Sequence, residues 1–321
     1  MNVKEMKKSY KQIIKSGLLS SFLKAKFFGV ANPVIASWRV TNRCNQSCLN
    51  CRLWAREIIE PETPEMLLMI DKLFTEGIRF LVFTGGEPLL REDIERIINY
   101  SAQKGIQITL NTNGRLLRAR KECLKYLTRL HLSLDGPEEI NDYLRGQGSF
   151  RHTIEAIMLA KSREVPIFFT TVLSKYNLKH IDFLLSFAEK NKIKVGFQPA
   201  SLNYLGSEEN NPLSPLTKEY KDAIFYLIKC KNRGNPQIIN SISGLKYMYH
   251  FPAERKISCM AGKLMLRIES NGQVYSCGWG IRKNSHPDTC NFCWKYEAIE
   301  LNLIGALKPD PVLNAVKLLL N

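Results

Sequence analysis

From residue 34 onward, short apolar runs alternate with longer segments in which apolar residues recur every three or four positions. "VIASWRV" (34–40) predicts a strand, "PEMLLMIDKLFTEG" (64–77) a helix stopped by Gly77, and "IRFLVFTGG" (78–86) a buried strand. The same alternation predicts helices over 91–105, 121–129, 150–165 and 181–192, and strands over 106–114, 130–136, 166–174 and 194–200. Repeated βα units with buried strands imply an α/β fold with a parallel sheet, and six such strands before residue 201 would make a partial or full α/β barrel. Ligand chemistry in such a barrel sits at the carboxyl ends of the strands. Here those ends read "TNRC", "TGGEP", "NTNG", "SLDG", "TTVLSKYN" and "QPA", the polar and glycine-rich part of each unit.

Past Ala200 the rhythm breaks into a turn-rich stretch, a helix over 220–234 and a section carrying four cysteines. "LMLRIESNGQVYSC" predicts a β-hairpin whose primed turn is Asn271-Gly272. The expected division is a basic amphipathic N-terminal helical segment over 1–33, a barrel over 34–205, a helical linker over 206–255, and a small C-terminal domain with a final helix over 256–321.

Composition narrows the classes. Apolar residues at 45% can bury a core, which excludes wholesale disorder. A formal charge of +16 suits nucleic acid, anionic lipid or an acidic substrate, or is simply a solvated basic surface. No run reaches about 18 continuous apolar residues and no secretory signal precedes the strands, so a cytoplasmic protein is expected. Met6, Tyr10, Ile13, Ile14, Leu18 and Phe22 follow helical spacing between lysines, which suits a helix lying on a membrane surface, holding substrate or packing on its own barrel. Nine cysteines without an export signal point to metal or catalysis rather than disulfides.

Cys44, Cys48 and Cys51 form Cx3Cx2C directly after the first strand. Three soft thiolates on one loop can hold three irons of a cubic [4Fe-4S] cluster and leave the fourth iron open; zinc, completed by a distant ligand, is the alternative by spacing alone. With "TGGEP" closing the second strand and "HLSLDGP" followed by "DYLRGQGSF", the chain resembles the radical S-adenosylmethionine (radical SAM) superfamily over roughly residues 34–205. The resemblance implies a partial (β/α)6 barrel, a [4Fe-4S] cluster on the three cysteines, and S-adenosylmethionine (SAM) chelated at the open iron. It further implies that the backbone at Gly85, Gly86 and Glu87 binds the methionine ammonium group, and that Ser133 and Arg145 contact the SAM ribose and carboxylate. Asn113 and Asp135 are weaker candidates, equally able to cap their own turns. Where the family carries an aromatic residue before the third cysteine this chain has Asn50, so the adenine contact falls to Asn50 or to Trp54. The implied chemistry is one-electron reduction of SAM to a 5′-deoxyadenosyl radical that abstracts a substrate hydrogen, which calls for an electron donor such as flavodoxin or ferredoxin.

Cys259, Cys277, Cys290 and Cys293 are a second set, in which Cx12Gx4C spans the hairpin and CxxC follows. Four thiolates suit zinc or [4Fe-4S] equally by count. Behind the barrel motifs the arrangement is similar to the Twitch domain, the short form of the SPASM domain, which implies one auxiliary [4Fe-4S] cluster with four cysteine ligands and favours net oxidation. Asp288 and Glu269 are the candidate proton acceptors, while Cys123 and Cys230 fall on expected helices as small buried hydrophobes. The substrate is left between a peptide, a small metabolite and a membrane-proximal lipid or glycan. RNA modification, or a non-catalytic zinc protein that binds nucleic acid, are the competing readings, although no appended RNA-binding module is visible.

Overall fold

A computed structural model describes residues 20, 23, 27, 31–205, 207, 209–253, 259–277 and 296–320. Most of the expected N-terminal helix therefore lies outside the described residues, as do Asp288, Cys290 and Cys293. Six strands follow one another as anticipated: β1 (Ile35–Arg39), β2 (Phe80–Thr84), β3 (Gln107–Thr112), β4 (Arg129–Ser133), β5 (Ile167–Leu173) and β6 (Lys194–Pro199). Each pairs in parallel with the next, giving a partial barrel.

The strands alternate between two environments. Ala36, Trp38, Leu81, Phe83, Ile108, Leu110, Leu130 and Leu132 are almost wholly excluded from solvent. They face outward beneath helices that include α1 (Thr63–Thr75) and α2 (Ile94–Gln103), whose Met66, Ile70, Leu73, Ile94, Ile97 and Ile98 are buried in the same core. The intervening positions, among them Ser37, Arg39, Thr84, Thr109, Asn111, His131 and Ser133, line the inner face. This pattern of apolar outside and polar inside is what positions the site.

Three local expectations change. Residues 121–129 do not form an α-helix; a 3-10 helix over Lys121–Tyr126 takes their place, because Leu127 is already extended to feed β4 while Cys123 and Leu124 dip into the core. A helix passed over in the sequence, α3 (Glu138–Arg145), precedes α4 (Ser149–Ser162); the Asp142 carboxylate accepts from Gly148 N and Phe150 N at 2.7 and 2.8 Å and so caps α4. The hairpin exists, as β7 (Met265–Ile268) against β8 (Val274–Tyr275), but its turn is not the two-residue primed type. Gly272 alone is left-handed (φ 78°) and its N–H closes a turn onto Glu269 O, the geometry of a longer loop ending in a bulge. β7 also runs parallel to β1 and pairs with it, so the hairpin continues the barrel sheet in the order β6-β5-β4-β3-β2-β1-β7-β8.

The helix α5 (Ile181–Asn191) precedes β6, and after that strand come α6 (Lys218–Asn232), α7 (Ile242–Met248), α8 (Tyr296–Gly305) and α9 (Pro309–Leu320). Among the described residues no helix is long and apolar enough to cross a membrane.

Candidate active site

The loop leaving β1 carries Cys44, Cys48 and Cys51, and the rest of the site is built to hold it. Its start is fixed by Arg91, a buried guanidinium that donates to Val40 O (3.3 Å) and Pro61 O (3.1 Å) and pairs with Glu60 and Asp93. Glu60 in turn accepts from the Thr41 hydroxyl and from Arg43. Gly86 N and Glu87 N, at the end of β2, donate to Thr41 O and Arg43 O, each at 2.8 Å. The two glycines are dictated by this approach: a Cβ on Gly85 would lie 2.3 Å from Thr41 O, and one on Gly86 would lie 2.2 Å from Arg43 O. At the other end of the loop Leu49 N donates to Leu144 O, and Arg52 N to Leu205 O.

Glu87 is wholly buried and its carboxylate accepts from Thr112 Oγ1, Asn113 N and Leu89 N at 2.7, 2.8 and 3.1 Å. Burial pushes it up to about 7, with those hydrogen bonds acting against the shift. It therefore ties the end of β2 to the end of β3. Asn113 closes its own turn onto Arg115 N and also donates to Asn45 Oδ1 (2.8 Å), while Arg115 donates to Asn45 O (3.1 Å). Sequence reasoning passed over Asn45, Arg91 and Arg115; only their side-chain chemistry next to a motif could have drawn attention to them.

Asp135 and Arg145 meet in a buried ion pair, Nε to Oδ2 at 2.7 Å, and Asp135 Oδ1 also accepts from Val172 N. Burial would lower the Arg145 guanidinium, but the Asp135 charge and the Cys48 thiol hold it raised. Its backbone carbonyl faces Cys48 Sγ at 3.8 Å. Burial also raises all three thiols, Cys44 to about 12, while Arg145 pulls Cys48 and both Arg39 and Arg145 pull Cys51 the other way. Ser133 sits at the end of β4 on the inner face, with its carbonyl facing Thr153 Oγ1.

A cleft of about 410 Å³ opens beside this loop, lined by Cys44, Ser47, Trp54, Arg115, Arg145 and Gln147 among others. That is room for a nucleoside-sized molecule. The Trp54 indole donates to Cys51 O (3.1 Å) and leaves its ring 41% exposed at the cleft. Asn50 lines a separate, small cavity together with Asp135, Leu144 and Ser174.

Comparison with known proteins agrees with this geometry. The profile of the Radical SAM superfamily matches residues 38–188. Over 270 residues the chain is 32% identical to the AdoMet-dependent heme synthase of Methanosarcina barkeri, covering 77% of each protein. It is also 32% identical over 168 residues to the Fe-coproporphyrin III synthase of the same organism, a match covering 50% of this chain and 42% of that one. The chain belongs to the radical SAM superfamily. In fold it is also similar to Streptococcus suis SuiB bound to S-adenosylmethionine, with a TM-score of 0.65 at 18% identity over 91% of this chain and 70% of that one.

A radical SAM protein implies a [4Fe-4S] cluster and SAM, and the donor set fits: three half-buried thiols on one loop, with two guanidiniums near enough to favour thiolate. No three His, Cys, Asp or Glu side chains among the described residues converge to hold a single metal ion; a cubic cluster takes one thiolate per iron and so asks for a wider set. Of the second set, Cys259 and Cys277 flank the hairpin strands and are half-buried. Met260 N, next to Cys259, donates to the buried Asn302 of α8 (2.8 Å), which packs α8 against this segment. The Glu269 carboxylate, 22% exposed, pairs with both Arg39 and Arg267. Ser270 Oγ, in the hairpin turn, donates to Asn42 Oδ1 of the cysteine loop at 2.9 Å.

Proposed function

We propose that this chain reductively cleaves SAM and abstracts a hydrogen atom from a small anionic metabolite, in a net oxidation assisted by an auxiliary [4Fe-4S] cluster. The observation that carries the first part is the docking of the cysteine loop on Gly85-Gly86-Glu87, with a nucleoside-sized cleft beside Cys44, Trp54 and Arg145. Cys44, Cys48 and Cys51 would hold the cluster, which when loaded supplies one electron to SAM and so yields methionine and a 5′-deoxyadenosyl radical. The chain's own residues do the positioning. Gly85, Gly86 and Glu87 offer backbone carbonyls to the SAM ammonium group, Trp54 offers a ring face to adenine, and Arg145, already neutralised by Asp135, offers its remaining N–H groups to the carboxylate.

The auxiliary cluster is assigned to Cys259, Cys277, Cys290 and Cys293 as a Twitch-like section. Support comes from the hairpin between the first two and its hydrogen bond to the cysteine loop of the barrel. Among substrates, a tetrapyrrole is favoured over a peptide, lipid or RNA by the 32% identity to a heme synthase across 77% of both chains. A reductant such as flavodoxin or ferredoxin is required.

The test is anaerobic reconstitution followed by iron and sulfide counting and assay of 5′-deoxyadenosine. About eight irons per chain are expected, four for each cluster, with 5′-deoxyadenosine formed only when reductant is added. Converting Cys44, Cys48 and Cys51 to Ala should remove half the iron and all 5′-deoxyadenosine. A colourless zinc protein without SAM affinity would refute the reading.

A further inference from the structure

The inner face of a (β/α) barrel is ordinarily packed with branched apolar side chains. Here one row across it is polar. Arg39 is in register with Thr84, Thr84 stands one place beyond the paired Phe83 and Leu110 and so beside Asn111, and Asn111 is in register with His131. Parallel partners in register share a face, so Arg39, Thr84, Asn111 and His131 all project to the lumen.

Two features of this row are unused by the chain itself. The first is charge. Arg39 and Arg267 are 6% and 8% exposed, and the single Glu269 carboxylate lies between them, which leaves one positive charge over within this cluster. Arg267 spends Nε on Glu269 and Nη1 on Ser37 Oγ (2.9 Å), whereas Arg39 meets Glu269 through Nη1 alone. The strand register puts Arg39 on the lumenal face, and its charge acts on the Cys51 thiol of the loop above. The second is an unmet hydrogen-bonding demand. Asn111 Oδ1 and His131 Nδ1 are buried with no partner among the described residues. Buried polar atoms are seldom left so, and two adjacent ones on a sheet face call for a group the chain does not supply. Burial and Arg129 hold His131 down to about 4, so it is a neutral ring able to donate or accept, packed 5.4 Å from Phe168.

We propose that Arg39, Asn111 and His131 form a substrate subsite that takes a polycarboxylate, with one acid group on Arg39 and a second polar group on Asn111 and His131. This rests on the radical SAM reading and names its substrate class. Adjacent strands are about 4.8 Å apart, so Arg39 and Asn111 are separated by about 10 Å. A dicarboxylate or a propionate-bearing tetrapyrrole spans that length, and it would lie in the lumen beneath the cysteine loop, where a hydrogen can be taken from it.

The experiment uses the anaerobically reconstituted full chain and three probes: iron coproporphyrin III, its tetramethyl ester, and triglutamate peptide. Binding is followed by the porphyrin absorbance and, for the peptide, by calorimetry, with iron content measured for each variant. The acid porphyrin is expected to bind at least ten-fold tighter than the ester. Arg39→Gln should erase that preference, and Asn111→Ala or His131→Phe, which leave the ion pairs in place, should each weaken the acid form three- to ten-fold. If Arg39→Gln fails to hold iron, the other two variants decide. Triglutamate binding with the same dependence on Arg39 would keep the subsite and assign it to acidic peptides. Equal affinity for acid and ester, variants that bind the acid like wild type, or a wild-type chain that takes up neither acid probe would each overturn the subsite. Formation of 5′-deoxyadenosine by wild type without any probe is scored separately. Its absence alongside Arg39-dependent binding would sink the SAM-cleaving reading and leave the subsite standing.

Discussion

Gly85 and Gly86 illustrate how a motif can be legible while its cause is not. The motif "TGGEP" is visible in the sequence through its likeness to a cofactor-binding turn, yet the space its glycines save is taken by the chain's own Thr41–Arg43 backbone. That approach joins segments more than forty positions apart, which no local pattern encodes. Gly86→Ala should therefore displace the cysteine loop and cost most of the barrel iron. Gly234→Ala has a left-handed backbone (φ 87°) but open space around it, and should lower stability by about 1 kcal/mol in a denaturant melt with iron unchanged. The Asp135–Arg145 pair is the second residue-scale lesson. Each was read singly as a cofactor contact, and their mutual bond, across the α3 helix that the sequence did not disclose, was invisible. Asp135→Asn strands a buried guanidinium and should cost about 3 kcal/mol of unfolding free energy at neutral pH.

The six barrel strands and their long helices were readable because period and length agree over five or more residues in each. Short pieces escaped. The eight-residue α3 carries several charges, and the 121–126 segment has the spacing of an α-helix but too little chain before β4 to complete one. The C-terminal helices show a different kind of dependence. Glu300 of α8 accepts from Ser241 N (2.8 Å) and Ser241 Oγ (3.1 Å), at the N-terminus of α7, and burial pushes its carboxyl up from 4.5 to about 7. Because the folded chain holds this proton to higher pH than the unfolded chain does, the stability it contributes is complete below about pH 4.5 and declines as pH rises to about 7. Glu300→Gln should flatten that part of the stability profile. Melting temperatures of both proteins at pH 5 and pH 8 provide the check, and an unchanged difference between the two pH values would contradict the assignment.

At the scale of the whole molecule, the +16 charge and the cysteine spacing were plain in the sequence, but the pairing of β7 with β1 was not. β7 is four residues long and was assigned to a separate unit; only the sheet shows it as a neighbour of the first strand, joined through Arg39 and Glu269. Those two residues are 230 positions apart. At synthesis rates of roughly 5–20 residues per second, β1 therefore waits on the order of 10–50 seconds on the ribosome with one edge unpaired. Until the hairpin emerges, that edge is a template for other strands. A chain stopped at residue 255 should consequently accumulate in the insoluble fraction, and supplying the missing C-terminal segment in trans during expression should return part of it to solution. The first strand to be made is thus closed by one made some 230 positions later, and nascent chains of this protein carry an aggregation risk that the finished sheet conceals.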